Sequence, residues 1–133
     1  MGKESLVNEQ RDAGQEFVRD FTEYVPVAAA FWINPADSED WFLYVASPKI
    51  NDGNLDVAYG EVLRRVGTNK NQWLDAFQIK LVNSADPVAA EVIRIRDRYA
   101  LKTATHYNGS SIAGMAIGGA FIYPESTAAT SAP

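Results

Sequence analysis

Residues 25–48 read VPVAAAFWINPADSEDWFLYVASP, and the reading of this stretch decides the fold. Pro26 interrupts any helix arriving from the N-terminal side, and the run to Ile33 is rich in the residues that favour extended chain. Asn34 to Asp40 is dense in turn formers, so Trp41 to Ala46 is expected to return antiparallel as the second strand of a hairpin, stopped by Ser47-Pro48. Neither strand has a polar face. On the first, Val25, Val27, Ala29, Phe31 and Ile33 alternate with Ala28, Ala30 and Trp32. On the second, Trp41, Leu43 and Val45 alternate with Phe42, Tyr44 and Ala46. Strands apolar on both faces are ordinarily buried on both. Either the chain's own helices cover this hairpin, or part of a Trp32, Phe42 and Tyr44 surface is an interface, since aromatic residues are enriched at such patches.

Outward from the hairpin, periodicity supplies the covering elements. Leu6, Ala13, Phe17, Phe21 and Tyr24 share one stripe of a helix over roughly Ser5 to Tyr24, with Gly14 marking either frayed first turns or a closely packed neighbour. The turn Asn51-Asp52-Gly53-Asn54 precedes a second helix with Leu55, Ala58, Tyr59, Val62, Leu63 and Val66 at helical spacing, ending at Gly67. Phe77, Ile79 and Leu81 then alternate with Gln78 and Lys80 as a third strand near a sheet edge. Asp86-Pro87 starts a third helix with Val88, Val92, Ile95 and Tyr99 on its buried stripe. After a loop from Lys102 to Ser111, Ile112 to Tyr123 forms the fourth strand, stopped by Pro124. Its small residues Ala116, Gly118 and Ala120 match Ala28 and Ala30. First and last strands are therefore expected at the sheet centre, with the N-terminal helix close on their small-residue face. The fold class is α+β: a four-stranded mixed sheet in the order α-β-β-α-β-α-β, with helices packed on it. One domain is expected over residues 1–124, with a disordered tail at 125–133.

Composition narrows the chemistry. The 133 residues hold no cysteine, which removes disulfides, thiolate nucleophiles and cysteine-based metal centres. MGKESLVNEQRD lacks the apolar core of a signal peptide, and no apolar run approaches the ~20 residues of a membrane span, so a cytoplasmic protein without a membrane partner is expected. A net charge of −5 disfavours nucleic acid unless a local basic patch opposes the overall field.

Three candidate sites remain. His106, the only histidine, sits in Thr105-His106-Tyr107-Asn108-Gly109 near the Ser110 and Ser111 hydroxyls, and is either a general base for a small hydrolase or lyase or a residue flanking a tight Asn-Gly turn. Arg94 and Arg98 lie four apart on one helical face beside Tyr99, extended by Lys102, and Arg64 and Arg65 would join them if the helix ends meet. That arrangement would bind phosphate or nucleic acid, whereas arginines at helix ends also serve simply to complement the helix dipole. Asp37, Glu39 and Asp40 cluster, as do Asp52, Asn54 and Asp56, but the second set lacks the glutamate at the twelfth position of a calcium loop and reads as turn and cap, and Gly114, Gly118 and Gly119 fall inside a strand pattern where they admit close packing or a bulge. No metal or cofactor is expected. The leading expectation is a small non-enzymatic interaction or accessory module, oligomeric or a subunit of a larger assembly, whose partner is itself or another protein.

Overall fold

A computed structural model describes residues 6–69, 72–99 and 102–125. The expected tail beyond residue 125 lies outside the described residues. Helix α1 (Asn8–Phe21) buries Ala13, Gly14, Phe17, Val18 and Phe21 along one stripe. The hairpin follows as β1 (Ala29–Pro35) and β2 (Phe42–Ser47), antiparallel with Trp32 opposite Leu43. Its turn is closed from inside. Asn34 is buried, and its side-chain amide donates to the carbonyls of Ser38 at 3.0 Å and Asp40 at 2.8 Å. Helix α2 (Leu55–Asn69) starts behind Asn51, whose Oδ1 accepts from the Gly53 and Asn54 backbone N–H groups. A 3-10 turn, Ala76–Gln78, leads into β3 (Ile79–Asn83), parallel to β2. Asp86 caps α3 (Pro87–Arg98), accepting from Val88 N–H at 3.1 Å and Ala89 N–H at 3.4 Å. Then come β4 (Thr105–Tyr107), β5 (Ser111–Ile112) and β6 (Met115–Ile122).

The α+β class with a mixed sheet and three helices agrees with the sequence reading, but the sheet has six strands where four were expected. The additional two are short. β4 carries no apolar alternation, and β5 is cut from the Ile112–Tyr123 run by Ala113 and Gly114, whose positive φ angles of 51° and 84° turn the chain back. The sheet order is β3-β2-β1-β6-β4, with β5 paired to β6. β1 and β6 are therefore adjacent inside the sheet, as the matching of first and last strands requires.

The helices divide between the two faces. Ala30, Trp32, Leu43, Val45 and Phe121 pack with α1 and α2, whereas Ala29, Phe31, Ile33, Ala46 and Ile122 pack with α3. Directly opposed residues of an antiparallel pair share a face, and Phe31 faces Tyr44 while Ile33 faces Phe42. Trp32 therefore lies on the opposite side of the sheet from Phe42 and Tyr44, which corrects the single aromatic surface expected from the sequence. β6 also departs from simple alternation. Asn34 is opposite Gly119 but Pro35 is opposite Ile117, so one extra residue at Gly118 makes a bulge and moves Ile117 to the face of Ala120 and Ile122.

As expected, α1 packs on the Ala30 face of β1, although Ala120 of the last strand lies on the opposite face, and the close approach of α1 is onto Trp32 and Tyr123. Gly14 makes it possible: a β-carbon there would stand 2.7 Å from the Tyr123 hydroxyl and 3.0 Å from the Trp32 ring. Phe77, expected on the buried face of the third strand, sits instead on the 3-10 turn and is 84% exposed. Among the described residues, no helix is long and apolar enough to cross a membrane.

Candidate functional site

Trp32 has no accessible surface. Its indole N–H donates to the Tyr123 hydroxyl at 2.9 Å, and that hydroxyl donates to the Arg11 carbonyl at 2.6 Å, so the ring is fixed by the chain's own groups. Burial drives the Tyr123 pKa well upward and keeps the phenol protonated as this donor. Phe42 and Tyr44 are half-buried. Tyr44 stacks on Phe31 with ring centroids 5.2 Å apart, and the Lys80 ammonium stands 5.0 Å from the Phe42 centroid. Burial, and after it the Asp86 carboxylate, raises the Tyr44 pKa.

The arginines divide with the helices. Arg64 and Arg65 are on α2, on the Leu43 face of the sheet, and Arg94 and Arg98 are on α3, on the Phe31 face. Arg65 is a tie between helices: it pairs with Glu61 at 2.7 Å and Asp20 at 3.0 Å and donates to the Asp20 carbonyl at 2.8 Å. Arg64 pairs with Glu61, and its hydrogen bond is the largest influence holding that carboxyl below the usual range. On α3, Arg94 pairs with Glu91, while Arg98 has no carboxylate partner among the described residues. Arg94 and Arg98 border a surface hollow of about 530 Å³ with Ile93 and Ile95. Tyr99 and Lys102 are exposed nearby in sequence. One arginine that the spacing argument passed over is Arg96, which is 6% exposed and donates to the Ala28 carbonyl at 2.7 Å and to Asp97 at 3.1 Å. It anchors α3 to the lead-in of β1.

His106 lies on β4, and its Nε2 is 2.6 Å from Arg11 Nη2. A guanidinium only donates, so Nε2 accepts and the ring proton sits on Nδ1. The imidazole and the Phe121 ring meet at a steep angle with centroids 5.0 Å apart, and the Arg11 guanidinium lies 4.5 Å over the Phe121 ring. Burial, and after it the Arg11 charge, lowers the His106 pKa. The lone pair a general base would use is thus already engaged, and neither Ser110 nor Ser111 hydrogen-bonds the ring. The imidazole borders a hollow of about 280 Å³ whose other walls include Leu6, Trp41, Asn108 and Gly118.

A further surface was not expected from the sequence. Phe77 and Leu63, which is 57% exposed, stand beside a hollow of about 320 Å³ between α2 and the open edge of β3, walled also by Tyr59, Val62 and Ile79. The Tyr59 hydroxyl accepts from Leu81 N–H at 2.9 Å and occupies the middle of that strand edge. Exposed Gly60 and Gly67, with open space where a β-carbon would point, flank Leu63 on α2 and are the sequence signal that was available.

No family model, curated protein or solved structure matches this chain. Among the described residues, no group of three or more histidine, aspartate or glutamate side chains is placed to hold a metal ion.

Proposed function

We propose that the protein is a small non-enzymatic interaction module that pairs with a second copy of itself through the α2–β3 edge. The observation that carries this reading is Phe77, a phenyl ring with 84% of its surface exposed beside an apolar hollow. Leaving a large aromatic in water forgoes roughly 1.5–3 kcal/mol of burial free energy. A projecting ring next to a hollow of about 320 Å³ is self-complementary under two-fold symmetry, because each copy offers both the knob and the hole. The exposed Leu63 extends the same surface, and the helix glycines on either side of it admit a close neighbour.

Light scattering coupled to size-exclusion chromatography over a range of concentrations tests the reading. The parent chain is expected to run as a dimer and Phe77→Ser as a monomer with an unchanged melting temperature, because the ring makes little contact with its own core. A parent chain that stays monomeric at every concentration sinks self-association. A monomer that acquires a stoichiometric protein partner through Phe77 would keep the surface and replace the occupant.

A second reading rests on Arg98, exposed and without a carboxylate, beside Arg94 and near Tyr99 and Lys102 in the chain. These side chains supply donors for a phosphate-bearing ligand. Arg64 and Arg65 do not join them, being ion-paired on the other face of the sheet. Oligonucleotide binding at low salt that weakens steeply as salt rises, and is lost in Arg98→Gln, is the outcome this reading requires.

A further inference from the structure

We propose that Tyr59 closes the β3 edge of the sheet to strand addition, so that a second copy of the chain meets this edge through side chains alone. The sheet ends in two edge strands, β3 and β4. An edge strand offers its outward N–H and C=O groups to any other chain. β4 limits that exposure by its length of three residues, whereas β3 has five. β3 also borders the apolar hollow and the exposed Phe77 ring, surroundings that would hold an incoming strand in place.

The outward donors at the centre of β3 are nevertheless bonded within the chain. Successive residues of a strand turn their N–H groups to opposite sides. Ser84 N–H donates inward, to the carbonyl of Ser47 at the end of β2, at 3.2 Å. The even-numbered positions therefore face β2, and Ile79 and Leu81 face outward. Ile79 N–H donates to the Ala76 carbonyl of the 3-10 turn. Leu81 N–H donates to the Tyr59 hydroxyl at 2.9 Å. Lys80, between these two positions, is exposed and adds a charge to the same strand, a further obstacle to a flush neighbour.

The Ile79 bond is local, three residues along the chain, but the Leu81 bond needs a side chain from α2 to reach the strand edge. Tyr59 does so while its ring packs against the core cluster beneath α1 and α2. It is thus held at both ends, and an incoming strand would have to break a formed hydrogen bond and displace a packed ring. A phenylalanine would keep the ring and lose the acceptor. This deepens the self-association reading and rests on it in one respect: a dimer formed through Phe77 joins two separate sheets and not one continuous sheet.

The test uses Phe77→Ser as the background, so that the side-chain interface is absent and strand pairing alone is read. In it, Tyr59→Phe is compared with Tyr123→Phe, which also deletes a hydroxyl that accepts from an N–H group, that of Trp32, but away from the edge. By light scattering, Tyr59→Phe is expected to associate at a protein concentration about tenfold or more lower than Tyr123→Phe. Its Leu81 amide is expected to exchange fast in the monomer and to slow as concentration rises, because a neighbouring strand supplies the missing acceptor. In Phe77→Ser alone the Leu81 amide is expected to exchange slowly at every concentration. The proposal is overturned if folded Tyr59→Phe stays monomeric, associates no more readily than Tyr123→Phe, or keeps a fast Leu81 amide once associated. A fast Leu81 amide in Phe77→Ser overturns it as well, without any change at Tyr59. A parent chain that is monomeric would remove the self-association reading and leave these outcomes as they stand.

Discussion

Gly14 was conspicuous in the sequence as a residue that weakens a helix, and its reason became visible only when α1 was set against the ring of Trp32. Gly14→Ala gains about 1 kcal/mol of helix propensity but forces a methyl group onto the Tyr123 hydroxyl and the indole, a strain typically costing about 1–3 kcal/mol. Both acceptor and donor are tied at that hydroxyl, so it cannot simply swing aside. A lower urea midpoint with an unchanged slope is the expected result of denaturation. Tyr123→Phe tests the same thread from the other end: it leaves the buried Trp32 N–H without an acceptor, at a cost of about 1–3 kcal/mol. His106 contributes through pH. Its folded pKa lies below the ordinary value of 6.5, so as pH falls the unfolded chain takes up the proton first. Stability from this source is full above pH 6.5 and declines as pH drops toward the folded pKa. His106→Gln is expected to flatten that part of a melting-temperature profile measured against pH. The sequence could single out His106 because it is the only histidine, but Arg11, 95 positions away, carries no local sign that it would be the partner.

Elements with strong local chemistry were readable, and those formed by long-range pairing were not. Asp86-Pro87 announces α3 without help from the rest of the fold, and the structure has the Asp86 carboxylate accepting from two backbone N–H groups there. Asp86→Ala is expected to cost about 1 kcal/mol, seen as a lower melting temperature with the α3 amides exchanging faster. β4 is the opposite case. Thr105, His106 and Tyr107 become a strand only because β6 offers them a ladder, with His106 opposite Phe121. Phe77 departs from the sequence reading for a related reason: alternation with Ile79 and Leu81 holds in the sequence, but the Asp75 carboxylate accepts from Phe77 N–H and starts a 3-10 turn over Ala76–Gln78, so the strand begins only at Ile79. The exposure of that ring, and with it the proposed interface, was therefore hidden inside an apparently ordinary strand pattern.

At the scale of the molecule, one mixed sheet carries α1 and α2 on one side and α3 on the other, and that division explains why the arginines do not meet. Covering of both hairpin faces was legible as an alternative in the sequence, since neither strand is polar. Which helix took which face was not, because a helix stripe states what it buries and not against what. Protection in hydrogen exchange should follow the same geometry. The β1 amides, flanked by β2 and β6 beneath helices on both faces, are expected to exchange slowest, and those of β4 and β5 first. Uniform exchange across the sheet would contradict the burial described for β1. The union of Trp32 with Tyr123 spans 91 residues of chain, and it has a consequence for the route to the native state. Contacts between sequence-distant segments require loop closure before they are rewarded, which slows folding. Until β6 docks, the β1–β2 hairpin presents an open backbone edge with apolar side chains on both surfaces, the combination most prone to joining the wrong chain. Substitutions in β6 are therefore expected to lower refolding yield at high protein concentration by more than their effect on equilibrium stability alone.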